Sequence, residues 1–394
     1  MVEFKDPVIM LKTIFLVNVK EMTKFSQVFL AIFTFYSLVH CVQMYYLYKN
    51  FDVNLLIKYA PATTATLFVS NTKLLSSSLN IMPIFSVVSE TKLLRITTFI
   101  DKTFWPLDSI RKEARIKLER KCRAINISIY CILLLLSVAV FSNFPCFGRQ
   151  DDFFLCIKIF KEYFGQWSSI PNYIYFTLFP IFCYPYFRIA FSFVYAILET
   201  QLQFSLIEEY LFEVYQMVDL NWKYLQDPRY QQEIGKSLQL CIEHHTALKK
   251  LIHSIVNITL TGMPIFLLFG IGLFVSCFVF IINFGDTMTM ILKLKTPLLL
   301  YVATMLSMTL LMCWNGQQVI DVTSRIFYTL VRAPFYFWNL YNMKVLLMFI
   351  TNCTRNENIV LAGICLDYTL SVSILRISVF YTLGLLELRN HSFD

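Results

Sequence analysis

Glu243, His244 and His245 stand in a row and form the chain's densest group of metal-binding side chains. A metal needs converging ligands. Neighbouring helical residues point about 100° apart, so the triplet reads as helix packing, and no metal site is expected. The 11 cysteines contain no Cys-x-x-Cys pair, which leaves zinc without support. Cys146 and Cys156 both follow the third apolar stretch. In an oxidising compartment they either bridge as a disulfide or stay two thiols, because spacing alone does not set the geometry. No nucleophile motif and no glycine-rich phosphate loop is visible, and only 10 Gly occur. Neither an enzyme nor a cofactor is expected.

The more informative polar groups lie in the last quarter. At 100° per residue, Asp367, Ser371, Ser378 and Thr382 fall in one narrow sector of a helix expected from about Ile359 to Leu388. Hydrocarbon cannot satisfy such groups, so that sector should face protein or water. A second sector carries Leu366, Leu370, Ile377, Tyr381, Gly384 and Leu388. Either the polar sector packs on neighbouring spans and the apolar one faces elsewhere, or Asp367 sits in a wet vestibule.

The elements that position these groups are membrane spans. The chain is 57% hydrophobic and only 15% charged, with 38 Phe and 22 Tyr. Its mean hydropathy of +0.59 does not suit a soluble domain. Apolar stretches long enough to cross a bilayer, roughly 20 residues each, occur near Phe25–Tyr48, Ala60–Val88, Ala124–Phe144, Tyr173–Leu198, Ile255–Phe284, Pro297–Gln317 and Ile359–Leu388. The second stretch is densely polar and should sit inside the bundle. The segment from Glu199 to His253 is helical in pattern, with breakers only near Asp227 and Pro228. Residues 319–357 form an amphipathic connection. The expected fold is an all-α membrane protein of seven transmembrane helices.

Charge orients the bundle. The lead-in and the segments after spans two, four and six hold about 23 Lys and Arg, and the opposite loops about 8. The N-terminus is therefore expected in the cytoplasm and the C-terminus outside, the reverse of a G-protein-coupled receptor. The net charge of +8 then has a membrane explanation and requires no nucleic acid.

Cys313 and Gly316 form a Cys-x-x-Gly at the end of span six. Ser324 and Tyr328 follow as Ser-x-x-x-Tyr, then Trp338, and the chain closes on the run Ile377 to Leu383. Together with Cys241 to His245 leading into span five, this set resembles the insect odorant receptor family. The resemblance implies a tetrameric, odorant-gated, non-selective cation channel in the plasma membrane of olfactory sensory neuron dendrites. It implies a tuning subunit paired with a co-receptor, since the segment between spans four and five is short. It divides the chain into residues 1–312, with six spans and an odorant pocket, and 313–394, with a cytoplasmic anchor and a pore-lining seventh span. Matching the closing residues puts Gly384, Glu387 and Leu388 at the outer constriction, with Ile377 and Tyr381 on the same face.

The resemblance also implies a pocket for a small volatile in the outer leaflet, surrounded by membrane lipid. Candidate lining residues are Phe68, Asn71, Phe141, Ser142, Tyr173, Phe176, Phe179, Tyr301 and Met305. Aromatic walls with few polar groups suit such a ligand, although aromatics equally populate lipid-facing belts. A gustatory-type homotetramer shares the expected architecture. A secondary transporter would need inverted repeats and matching broken helices, and neither is visible.

Overall fold

A computed structural model describes residues 26–50, 52, 55–56, 58–64, 99, 103–106, 110–142, 144, 154–216, 227–259, 263–283, 291–354, 359–361 and 364–391. Most of the expected second span lies outside them.

The first helix, α1 (Ser26–Lys49), has the expected span-one boundaries to within a residue. Its inward face is Ile32, Phe33, Tyr36, Val39, His40, Gln43 and Tyr46, at three- and four-residue spacing, while Val28, Leu38, Val42 and Tyr45 point out. Beyond a part-described helical stretch at residues 55–64, α2 (Lys112–Phe141) joins the basic segment and the third apolar stretch into one rod. A short helix, α3 (Leu155–Phe164), follows and buries Leu155, Cys156, Ile157, Ile159 and Phe160.

The longest element is α4 (Ser169–Gln216), of 48 residues. At 1.5 Å per residue it measures about 72 Å. A bilayer with its headgroups measures only about 40–45 Å, so α4 is longer than a membrane is thick. Helix α5 (Pro228–Thr259) starts where the sequence breakers stand. Pro228 lacks the N–H that a first turn leaves unpaired, and Asp227 Oδ1 accepts from Arg229 N at 2.9 Å. The expected fifth span is described in two parts: α5 as far as Thr259, and α6 (Met263–Asn283), which carries the apolar part with Pro264 in its first turn.

Helix α7 (Ile291–Val331) runs through the sixth span and into the connection. It ends before Pro334, whose ring cannot continue a helix. A short turn leads to α8 (Leu340–Cys353), capped by Asn339, whose side chain accepts from Asn342 N at 2.8 Å. The last helix, α9 (Tyr368–His391), is shorter than expected. Residues 359–367 do not begin it. Instead β1 (Val360–Leu361) and β2 (Ile364–Cys365) pair antiparallel, and Leu366 N donates to Ile359 O at 2.9 Å.

The main core lies where α4, α5, α7 and α8 meet, closed by Trp338 and Phe349. A second, aromatic core gathers α1, α3, α4 and α6. Among the described residues, three stretches are long and apolar enough to cross a membrane: Lys112–Phe141, Ala190–Gln216 and Tyr368–Leu385. Ala190–Gln216 is enclosed by the rest of the chain.

Candidate functional site

The aromatic core is built ring on ring. Tyr36 of α1 stacks on Phe182 of α4 at 4.0 Å and 13°. Tyr175 meets Tyr36 at 4.8 Å, Phe33 meets Phe182 at 5.1 Å, and Phe154 meets Phe176 edge-on at 5.1 Å. The Tyr36 hydroxyl donates to the Tyr175 carbonyl. A thin polar line runs through this box. His40 Nδ1 lies 3.2 Å from Gln43 Oε1, and the Cys156 thiol faces both the Gln43 amide and the Tyr175 hydroxyl. All four of these side chains are buried. Buried polar atoms need partners. His40 and Gln43 find each other, whereas the Tyr175 hydroxyl is left without a hydrogen bond.

The last helix is seated by α7. A Cβ added to Gly316 would lie 1.9 Å from the Leu366 carbonyl oxygen and 3.0 Å from Leu366 Cγ. No other residue fits there. One turn earlier, the Cys313 thiol faces the Ser371 hydroxyl. The Cys-x-x-Gly pair thus forms the socket into which α9 is set.

Ser371, Ser378 and Thr382 turn inwards, toward α6 and α7. Ser378 Oγ donates to Ile374 O at 2.8 Å and Thr382 Oγ1 to Ser378 O at 2.7 Å, so these two hydroxyls are satisfied by their own helix, while Ser371 Oγ is buried without a hydrogen bond. Asp367 is not in the stripe. It precedes α9 and caps it, accepting from Thr369 Oγ1 at 2.5 Å and from Leu370 N at 3.1 Å. The Thr369 hydroxyl holds the Asp367 carboxyl below its usual range, against a small opposing effect of burial, and backbone N–H groups add to the lowering. In this position Asp367 serves as a helix cap.

Below the aromatic box, His244 stacks on Trp105 at 4.3 Å and 10°, and its Nε2 lies 3.0 Å from Gln203 Oε1. Gln203 also accepts from Trp105 N at 2.9 Å and donates to Trp105 O at 3.2 Å. His245 points elsewhere, between Phe204 and Phe349, with Cys353 Sγ 3.7 Å away. Burial pushes both imidazoles down to about 4. Among the described residues no three His, Cys, Asp or Glu converge on a metal position.

No protein-family model and no curated protein matches the sequence. Solved structures do match. The insect olfactory receptor OR5 from Machilis hrabei in complex with eugenol has a TM-score of 0.65, covering 94% of this chain and 91% of that one, at 10% identity. A second structure of the same receptor has a TM-score of 0.62 over 94% and 90%, at 9% identity. This chain has the insect olfactory receptor fold.

Within the olfactory receptor fold, the expected pocket residues separate. Phe176 and Phe179 are buried in the aromatic box. Met305 of α7 packs against both cores. Phe141 and Tyr173 are 55% and 57% exposed and point away from the box. Ser142 ends α2, its Oγ donating to Ala139 O at 2.8 Å. Phe68 and Asn71 lie outside the described residues, as does the side chain of Tyr301. On α9, Ile377, Tyr381, Gly384 and Glu387 share the exposed face, and the Leu388 side chain lies outside the described residues. Cys156 is a free, buried thiol that the amphipathic α3 turns into the box. Cys146 lies outside the described residues.

Sequence reasoning missed Tyr36, His40, Gln43 and Phe182. A signal for two of them was present: His40 and Gln43, at i and i+3 in an otherwise apolar helix, share a face.

Proposed function

We propose that this chain is an odour-tuning subunit of a ligand-gated cation channel. The observation that carries the proposal is the division of α9 into two faces. Its hydroxyl face is buried against α6 and α7, while Ile377, Phe380, Tyr381, Leu383 and Leu385 stand exposed on one subunit. Such a face requires company, and four copies around an axis would turn it toward a common pore. An apolar ring there gates by dewetting, and Glu387 beside it favours cations.

The ligand would enter the aromatic box between α1, α3, α4, α6 and α7. The walls suit a small apolar volatile, and the Gln43, Cys156 and Tyr175 group would hydrogen-bond one polar function. The eugenol bound to the Machilis hrabei receptor is a ligand of this size class. Binding opens the channel only as far as the ligand prefers the open arrangement of the α9 helices.

The fold, at 10% identity, supports the architecture, and the charge distribution supports a cytoplasmic N-terminus. Seven spans, the plasma membrane location and pairing with a co-receptor belong to this proposal. Whole-cell current in a non-insect cell line, with a volatile panel, tests it. Odour-evoked cation current only with an insect co-receptor supports it. Current from this chain alone replaces the heteromer with a gustatory-type homotetramer. Surface expression without current in either case, across a broad panel, overturns it.

A further inference from the structure

The basic half of α2 divides its cations into two sets. One set has partners on the protein. Arg111 Nη1 donates to Gln216, Lys117 Nζ lies 3.7 Å from Glu209, and Lys121 Nζ donates to Gln318 Oε1 at 3.2 Å. Arg115 is held by Glu119 at 2.7 Å along the helix. The other set, Lys112, Arg120 and Arg123, is exposed.

The second set is aligned with something. At 100° per residue, Lys112, Arg120 and Arg123 fall within about 80° of one another. Of the six large apolar residues that α2 exposes, Ile127, Tyr130, Leu134, Val138 and Phe141 fall in the same sector as one stripe, and Ile116 lies apart on the far side of Arg120. This outward stripe spans about 21 Å along the axis, most of a hydrocarbon layer of about 30 Å. Arg123 and Arg120 stand about 6 and 10 Å beyond its lower end, the depth at which a headgroup layer begins. Glu113, on the first turn, offsets the positive end of the helix rather than this pair.

We infer that the outward face of α2 is an anionic-phospholipid site, with an acyl chain along Ile127 to Leu134 and the headgroup phosphate between Arg120 and Arg123. Arginine suits this role because its planar fork takes a phosphate with two parallel hydrogen bonds. The inference rests on α2 crossing the membrane, and not on which ligand opens the channel.

The test is native mass spectrometry of the full chain in mild detergent, with equal amounts of phosphatidylserine and phosphatidylcholine added, and inorganic phosphate in a separate arm. Retention of phosphatidylserine should exceed that of phosphatidylcholine by at least about fivefold, the effect of one basic residue at an anionic surface. Arg120→Gln with Arg123→Gln should abolish the preference, Arg120→Lys with Arg123→Lys should keep most of it, and Lys158→Gln with Lys161→Gln on α3 should leave it unchanged. Equal retention of the two lipids, or a preference that survives the glutamine pair, overturns the site. So does inorganic phosphate binding with no lipid preference. Retention of neither lipid overturns the membrane reading of α2 itself. Loss of the lipid preference leaves odour-evoked current untouched, so that outcome and a failure of the channel proposal are distinguishable.

Discussion

Leu366 carries its carbonyl onto the bare α-carbon of Gly316, with a distance of 1.9 Å from that oxygen to where a β-carbon would stand. Gly316→Ala cannot be absorbed by a rotamer change, because the obstacle is backbone. The strand pair before α9, or α9 itself, has to shift. Overpacking of this kind costs about 1–3 kcal/mol. The expected outcome is a lowered melting temperature in detergent and reduced surface expression. Gly384→Ala is the contrast: nothing lies within 4 Å of an added Cβ there, so stability should not fall.

The Asp367 cap makes a pH-dependent prediction. Its carboxyl titrates lower in the folded chain than in the unfolded one. The cap therefore contributes fully above the unfolded value, near 3.9, and its contribution is lost as pH falls through the folded value. Asp367→Ala should destabilise by about 0.5–1 kcal/mol at neutral pH, the lower part of the range for caps because the site is exposed. The difference from wild type should shrink below about pH 4. A thermal unfolding series in pH checks both points, and a constant difference down to pH 3 would refute the cap.

The buried histidines act in the opposite direction. Each is neutral in the fold, with its imidazole pushed down to about 4 by burial, while the unfolded chain titrates near 6.5. The unfolded state takes up protons first, so stability is full above about pH 6.5 and declines from there toward pH 4. His245→Phe suits its place between Phe204 and Phe349 and removes one of the two titrating groups. Unfolding between pH 7.5 and 5 should show roughly half the wild-type decline. An unchanged slope would exclude His245 as a source.

Tyr175 is buried in the aromatic box with its hydroxyl toward Cys156. If an odorant's polar group takes that hydroxyl, Tyr175→Phe removes one hydrogen bond. The half-maximal concentration should then rise about threefold to tenfold with the maximal current preserved. Tyr173→Ala, on the exposed side of the same helix, should leave the dose–response curve in place. Equal effects from both would argue against a ligand at the box.

Much of the frame was legible in the residues. The bounds of α1 follow from where apolar residues start and stop, and the start of α5 follows from Asp227 and Pro228. The stretch from Ile359 to Leu366 misleads, because a short apolar run has the same pattern in a strand as in a buried helix. The Asp367 that follows, in front of Thr369 and Leu370, was the available cap signal. Gly316 stood out by spacing, but its partner fifty residues later could be found only in three dimensions. His40 and Gln43 were legible as an i, i+3 pair. Their meeting with Cys156 and Tyr175 depends on α3 folding back onto α1, which no local pattern encodes.

Helix α4 has a mechanical consequence. Phe176, near its upper end, lies in the aromatic box, and Glu208, near its lower end, holds Arg325 of α7 at 3.0 Å. The two residues are about 48 Å apart along one continuous helix, which carries Pro180 and Pro185 between them. A tilt of about 2° at the box moves the far end by about 1.7 Å over that length, roughly half the length of the Glu208–Arg325 contact. On the proposed reading, a volatile bound in the box would act on this lever arm, and the shift would appear at the Glu208–Arg325 contact.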